Sequence, residues 1–182
     1  MKRALALVIP ALLLCAFPFL QSFAGAAPRA GLANIESSIQ GELESHGDRV
    51  IGNESIHWTT RLEGIDGCRA SIIVRTVSNY GEPTVRVEKS SFSLGAINPY
   101  NIDVQKNWVA LSCFNGEKCI FSTTSCATTR RDGVALDCTP ASGRFSDSLK
   151  VNFDGDAASG TRLQQSFRRA VDLCRESQSV AF

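Results

Sequence analysis

The chain lacks most of the short motifs that support catalysis or metal binding. It has seven cysteines and only two histidines, and no two cysteines have the C-x-x-C spacing. Structural zinc sites and thioredoxin-like redox sites depend on that spacing, so the sequence favours neither. His46 and His57 have no G-x-S-x-G or comparable context, whereas a nucleophilic triad needs a base beside its nucleophile. We therefore predict no catalytic residue, no metal ligand and no cofactor.

An excess of one sign of charge is also absent. The chain has 19 Lys and Arg against 18 Asp and Glu, which gives no electrostatic reason to expect nucleic acid or an anionic membrane as a partner. The segment Asp154–Gly160 resembles the start of a calcium loop, but its fifth position is Ala158 and its twelfth is Gln165. Because the bidentate carboxylate is missing, Asp154 and Asp156 instead predict the stabilised start of a helix.

The first residues predict a targeting segment. The positive pair Lys2–Arg3 precedes the apolar run Ala4–Leu20, and the small residues Ala24–Ala26 fit signal peptidase cleavage. We expect residues 1–26 to be a cleaved signal peptide and the protein to be periplasmic or secreted, with no stable membrane span after cleavage. Two alternatives stay open. One is an uncleaved anchor, which two prolines in the run disfavour; the other is a lipoprotein modified at Cys15, which lacks a small residue before it.

Cleavage would remove Cys15 and leave six cysteines, an even number typical of disulfides in an exported chain. Cys113 and Cys119 flank "FNGEK", whose Asn-Gly pair predicts a hairpin turn. We expect these two cysteines to lie on facing strands and to bridge. Cys126 and Cys138 flank a second turn signal, Asp-Gly, and would form another disulfide.

The remaining cysteines, Cys68 and Cys174, are expected to point at one core. Cys68 shares an apolar strand face with Ala70 and Ile72. Cys174 belongs to a stripe at helical spacing that also contains Leu163, Phe167, Ala170 and Val171. A bridge between the two would tie the last helix to an early strand.

The spacing of apolar residues predicts a mainly β fold (β+α). Seven or eight short segments rich in β-branched or aromatic residues follow from Ser55, separated by turn residues, and an amphipathic helix runs from about Ala157 to Gln178. We expect an antiparallel curled sheet or partly open barrel closed by this C-terminal helix. Residues 55–178 would form one disulfide-stabilised domain. Residues 27–54 would be a leader with a short helix over Gly31–Ser45, followed by a loop.

A spaced framework of apolar, arginine and cysteine positions resembles that of small, uncharacterised bacterial domains with a pleckstrin-homology-like roll and a C-terminal helix. The framework residues are Trp58, Leu62, Cys68, Ile72, Val109, Leu111, Cys113, Arg162, Leu163, Ala170, Leu173 and Cys174. The resemblance covers roughly residues 55–174 and includes no catalytic motif. It implies a fold and no activity.

Trp108 and Phe114 are the candidate binding residues. They alternate with Val109, Leu111 and Cys113 along one predicted strand, so they would lie on the outer side if the Cys113 face is the core. Aromatic side chains on an outer face are typical of a contact surface, or of cover by another element such as the N-terminal helix.

These features favour an exported binding module that recognises a protein, peptide or envelope component through a sheet face or an exposed edge. One alternative is a carrier that holds a small apolar ligand inside the roll, which requires a roomy interior. Another is an inhibitor of an extracytoplasmic enzyme, which requires a protruding loop, and Leu94–Lys106 is the candidate. The chain could also itself be an enzyme, which would require a buried titratable pair that the sequence does not reveal.

Overall fold

The computed structural model describes residues 26–51, 56–79, 84–129 and 135–179. The helices and strands within these ranges are, in chain order, α1 (Ala26–His46), β1 (Asp48–Ile51), β2 (Ile56–Asp66), β3 (Arg69–Ser78), β4 (Thr84–Ser93), β5 (Ile97–Gln105), β6 (Trp108–Cys113), β7 (Ile120–Thr129), β8 (Ala135–Ser146), β9 (Ser148–Asn152) and α2 (Ala157–Ser179). The predicted fold class is confirmed: antiparallel strands predominate, the sheet is not closed into a barrel, and α2 follows the last strand.

The strands form two sheets. A six-stranded sheet has the order β1-β2-β3-β4-β7-β8, and a three-stranded sheet has the order β5-β6-β9. The chain leaves the larger sheet after β4, returns at β7, and passes from β8 to β9 across the single residue Asp147. The strands therefore do not form one continuous meander.

The predicted hairpin between Cys113 and Cys119 is also wrong, because the two flanking strands, β6 and β7, belong to different sheets. The turn signal is real: Asn115 and Gly116 have φ values of 53° and 69°, the left-handed conformation that Asn and Gly tolerate best. The predicted disulfide is present, with an S–S distance of 2.04 Å. It closes the turn by which the chain crosses from one sheet to the other.

The disulfide predicted between Cys68 and Cys174 is confirmed, with the Cα atoms 5.6 Å apart and 106 residues between them in sequence. It fixes α2 to the turn between β2 and β3. The backbone register places Cys126 directly opposite Cys138. Their side chains lie outside the described part of the structure, so this third disulfide stays a prediction.

The six-stranded sheet has two different faces. We call inner the face that carries the buried residues Leu62, Ile72, Phe92 and Ile120, and outer the opposite face. The inner face, the three-stranded sheet and both helices enclose one core. On the outer face, no described side chain of β2, β3, β4 or β7 is buried.

The N-terminal helix is longer than predicted and belongs to this core. Its stripe, Leu32, Ile35, Ile39 and Leu43, is at most 6% exposed and packs against α2 and β2. The loop predicted over Ser45–Ser55 is wrong in part, since β1 follows α1 after one residue and pairs with β2. α1 and β1 thus pack against elements that follow residue 54. The signal peptide prediction falls almost wholly outside the described residues.

The segment Leu94–Lys106 does not protrude. It forms a short 3₁₀ turn and then β5, in which Leu94, Ile97 and Ile102 are fully buried. Buried Ile97 and Pro99 alternate with less buried neighbours, and an irregular register before Ile102 breaks the period-2 pattern along β5. The structure thus does not show the loop that the inhibitor hypothesis requires.

Candidate functional site

The structure does not combine Trp108 and Phe114 into one patch. Val109, Leu111 and Cys113 face the core as expected, but Trp108 begins β6 and Phe114 follows its end. Each ring is half-buried beneath a cation. The Lys150 ammonium lies 4.6 Å from the Trp108 ring centroid, and the Arg175 guanidinium lies 4.5 Å from that of Phe114. These cation–π contacts stabilise the three-stranded sheet and the end of α2.

A more exposed aromatic pair lies on the outer face of the six-stranded sheet. Phe121 of β7 and Phe145 of β8 are direct cross-strand partners, with ring centroids 4.9 Å apart and an interplanar angle of 48°. Their exposed fractions are 38% and 60%. The alternation of buried Ile120 and Ser122 around Phe121 is the sequence signal that could have identified this residue. No comparable alternation marks Phe145.

Glycine makes room for this pair. Gly143 precedes Phe145 by two residues on β8, and a Cβ at Gly143 would overlap the Phe121 ring. The ring therefore lies across bare backbone, an arrangement that covers a weak glycine position in a strand while leaving the other ring face exposed. Across the sheet, the same row continues into Ser91 and Ser71, whose hydroxyls hydrogen-bond at 3.0 Å. The residues that follow Phe121 in this row therefore have small side chains.

The inner face becomes polar where the sheet extends past the core. Along β4, Phe92 and Ser90 are buried, Glu88 is half-buried, and Arg86 is exposed. The first four positions of one cross-strand row lie at this end, Arg49, Trp58, Thr76 and Arg86, and the row continues in the backbone register to Cys126 and Cys138. We call these four residues the arginine–tryptophan row.

The charges near this row do not cancel. Glu88 pairs with Arg86 and with Arg144, both at 3.5 Å. Arg49 instead contacts two uncharged groups. Its guanidinium lies 5.8 Å from the Trp58 ring centroid, and it donates to the Asn107 amide oxygen when that amide is turned toward β1. Among the described side chains near this row, three guanidiniums therefore stand against one carboxylate.

The edges of the sheets are poorly suited to adding a strand. The edge strands β1 and β9 have only four and five residues, and β8 contains Pro140 and has an irregular register with β7. The β5 edge is occupied by α2, because Gln164 and Arg168 donate side-chain hydrogen bonds to the Ile102 carbonyl. Short strands, proline, irregular register and covering helices all hinder edge-to-edge pairing.

A groove of about 350 Å³ lies at the β2–β3 end of the molecule. Glu36 of α1 lines it together with Glu63, Asp66 and Arg69 of the hairpin. Its charged lining differs from the predominantly apolar lining of a pocket for a hydrophobic molecule. The core itself is filled by large side chains, among them Phe92, Phe153 and Phe167.

Electrostatic contacts fix the helices that support the sheet. The Arg162 guanidinium of α2 donates to Glu42 of α1 at 2.5 Å, and this hydrogen bond raises the pKa of Arg162 above its usual range. The Asp156 carboxylate accepts from the Ser159 backbone N–H at 2.8 Å and from its hydroxyl at 2.9 Å. These hydrogen bonds lower the pKa of Asp156. The helix start predicted at Asp156 is confirmed, and Asp156 is its N-cap.

Within the described ranges, no group of three or more His, Cys, Asp or Glu side chains is arranged to hold a metal ion. Likewise, neither described helix has the length and apolar character needed to cross a bilayer. The disulfides are compatible with a protein outside the cytoplasm, where an oxidising environment preserves them.

No protein family, curated protein or solved structure matches the chain. The resemblance to bacterial roll domains therefore stays a prediction, and function must be argued from the surface of this molecule.

Proposed function

We propose that this protein is an exported, non-enzymatic interaction module that binds a partner protein through the outer face of its six-stranded sheet. The exposed Phe121–Phe145 pair is the observation that supports this proposal. Large aromatic side chains supply much of the binding free energy at protein interfaces, where water is excluded around them. Export rests on the N-terminal targeting pattern and agrees with the two disulfides.

The fold presents this surface rigidly. Both helices and the smaller sheet pack on the inner side of the six-stranded sheet, so the outer face needs no rearrangement before it meets a partner. Phe121 and Phe145 already contact each other in the free chain. A preformed contact lowers the conformational entropy that is lost on binding.

Binding through the outer face fits the structure better than addition of a strand at a sheet edge. Strand addition needs a free, regular edge several residues long, whereas the described edges are short, proline-containing or covered by α2. The charged groove and the filled core likewise give little support to a carrier of a small apolar ligand. The inhibitor hypothesis has no support at Leu94–Lys106, because Leu94, Ile97 and Ile102 of this segment are buried in the core.

Affinity capture from the host's extracytoplasmic fraction tests the proposal. The immobilised chain from Ala27 onward is compared with the double variant Phe121→Ser/Phe145→Ser, and retained proteins are identified by mass spectrometry. We expect one partner to be retained by the native chain. Its affinity should fall by roughly a hundredfold in the double variant, because each interfacial ring typically contributes tenfold or more.

Tyr100→Ser is the matched control, since Tyr100 is a strongly exposed aromatic residue on β5, outside the outer face of the larger sheet. This variant should retain the partner as the native chain does. Circular dichroism should show that all three proteins are folded. Equal retention by the double variant would rule out the outer face as the binding surface.

A further inference from the structure

We propose that the inner face carries a second binding surface, in which the arginine–tryptophan row receives an extended acidic segment of a partner protein. This surface lies on the opposite side of the sheet from Phe121 and Phe145. The proposal therefore goes beyond the function proposed above and does not depend on it.

Charge is the first argument. Arg86 and Arg144 have exposed side chains, at 54% and 69%, and share the single carboxylate of Glu88. Arg49 adds a guanidinium whose neighbours are an aromatic ring and an amide. The chain as a whole is nearly neutral, so this excess positive charge is a local feature and favours a ligand that carries carboxylates.

Spacing is the second argument. Arg49 and Arg86 are separated by three strand-to-strand steps, which places their Cα atoms roughly 14 Å apart at about 4.8 Å per step. Such a backbone spacing favours a ligand with more than one anionic group over a single small anion. Carboxylates four residues apart in an extended chain are separated by roughly 13–14 Å and match that distance.

The residues between the two arginines fit the same ligand. Trp58 and Thr76 are half-buried and lie directly between Arg49 and Arg86 in the row. A side chain midway between the two carboxylates would pack on the Trp58 ring and next to the Thr76 hydroxyl. The row thus presents a guanidinium, an aromatic ring and a second guanidinium in succession. An extended segment in which two carboxylates flank an apolar side chain presents complementary groups in the same order.

The Asn107 amide adds a positional constraint. Asn107 lies in the turn between β5 and β6, and its amide oxygen accepts from the Arg49 guanidinium when the amide is turned toward β1. Because the contacts of Arg49 with the described residues are uncharged, a ligand carboxylate would gain a charge-assisted contact without breaking any ion pair seen there. At the other end, a ligand carboxylate near Arg86 would share the guanidiniums that Glu88 already contacts.

Fluorescence anisotropy with a defined probe tests this surface. The probe is a labelled peptide of threonine and valine with two glutamates four residues apart, and its control has glutamines at those positions. We expect saturable binding of the glutamate peptide that is at least tenfold tighter than that of the glutamine peptide. Raising the salt concentration from about 50 to 300 mM should weaken it further, because exposed charges are screened.

Variants locate the site. Arg49→Gln and Arg86→Gln should each weaken binding by about tenfold, as expected for one charge-assisted contact. The matched control is Arg75→Gln, which removes an exposed arginine from the outer face of β3; binding should be unchanged. Phe121→Ser/Phe145→Ser should also leave it unchanged, so failure here is distinguishable from failure of the outer-face proposal.

Three results would overturn the inference: glutamate and glutamine peptides that bind alike, an Arg75→Gln effect as large as that of Arg86→Gln, or no saturation at millimolar peptide. A single-stranded oligonucleotide of equal charge is included as a further probe. If it binds as tightly as the glutamate peptide, the row responds to charge alone and the assignment to an acidic protein segment is wrong.

Discussion

Single side chains fix the ends of the helices in this protein. The Asp156 carboxylate accepts from the Ser159 N–H and hydroxyl at the start of α2, which satisfies a backbone donor that would otherwise lack a partner within the helix. Arg162, one turn further on, binds Glu42 of α1 and the Ser159 hydroxyl. A cap and an ion pair thus share one residue, Ser159, and connect the start of α2 to α1.

Removing this cap should destabilise the protein in a pH-dependent way. Asp156→Ala leaves the Ser159 N–H without its acceptor, and we expect the melting temperature at pH 7 to fall by about 2–4 °C. Because folding lowers the pKa of Asp156, the stabilisation is present above the unfolded-state pKa and disappears as pH falls through the lower folded-state pKa. The difference between variant and native protein should therefore shrink below about pH 4.

Thermal unfolding followed by circular dichroism between pH 7 and pH 3 measures this difference. Asp154→Ala is the control, because the hydrogen bond seen for Asp154 uses its backbone N–H, which donates to the His46 carbonyl. A destabilisation by Asp156→Ala that stays constant down to pH 3 would show that the carboxylate charge plays no part in the cap.

At the scale of elements, the junction between α1 and β1 determines how the N-terminal helix joins the sheet. Gly47 is the single residue between them, and its backbone N–H donates to Leu43 while its carbonyl accepts from Thr60, both at 2.7 Å. A Cβ at Gly47 would overlap the carbonyl oxygens of Leu43 and Thr60. Only glycine allows the chain to turn this closely against β2.

Two alanine substitutions in this region should have opposite effects. Gly47→Ala forces backbone atoms apart and should lower the free energy of unfolding by about 2–3 kcal/mol. Gly41→Ala, within α1, meets no atom within 4 Å and should raise it by about 0.5–1 kcal/mol, since alanine favours the helix more than glycine does. Urea unfolding of both variants checks the signs. A neutral Gly47→Ala would show that the junction is looser than the packing indicates.

The same junction shows where sequence reasoning stops. The apolar stripe of α1 was predictable from the spacing of Leu32, Ile35, Ile39 and Leu43, because helical periodicity is a local property. The four-residue strand β1 was not, since "DRVI" acquires its conformation only by pairing with β2. The Asn115–Gly116 turn was predictable as a turn. The turn signal did not reveal which sheet the following strand, β7, would join. That choice depends on the pairing of β7 with β4 and β8, whereas β6 pairs with β5 and β9.

The candidate surfaces were less predictable than the strands. The alternation of Trp108 with the buried residues of β6 was visible in the sequence, whereas the cations Lys150 and Arg175 beside Trp108 and Phe114 were not. The Phe121–Phe145 pair depends on the register between β7 and β8, and the arginine–tryptophan row on the register of four strands. Registers set by an irregular pairing are not visible in one strand's pattern.

For the whole molecule, two disulfides of very different span hold the layers together. Cys68–Cys174 closes 106 residues of sequence, whereas Cys113–Cys119 closes six. In the chain-entropy account, the long loop contributes about 5 kcal/mol and the short one about 2 kcal/mol. Their positions are complementary, since one attaches α2 to the larger sheet and the other fixes the crossing between the sheets.

Double serine variants should show this difference. Cys68→Ser/Cys174→Ser should lower the free energy of unfolding by about 5 kcal/mol, against about 2 kcal/mol for Cys113→Ser/Cys119→Ser. Guanidinium unfolding of each variant under non-reducing conditions provides the comparison. A larger loss from the short loop would mean that constraint at the sheet crossing matters more than loop length.

The proposed function requires that the chain is exported, carries its disulfides and meets its partner outside the cytoplasm. Native mass spectrometry of the protein purified from its host's extracytoplasmic fraction tests this most directly. We predict the mass of the chain from Ala27 to Phe182 less six hydrogen atoms, which corresponds to three disulfides among the six remaining cysteines, together with a complex that contains a partner protein. A chain that retains residues 1–26 and has all seven cysteines as free thiols would contradict both the compartment and the binding function proposed from it.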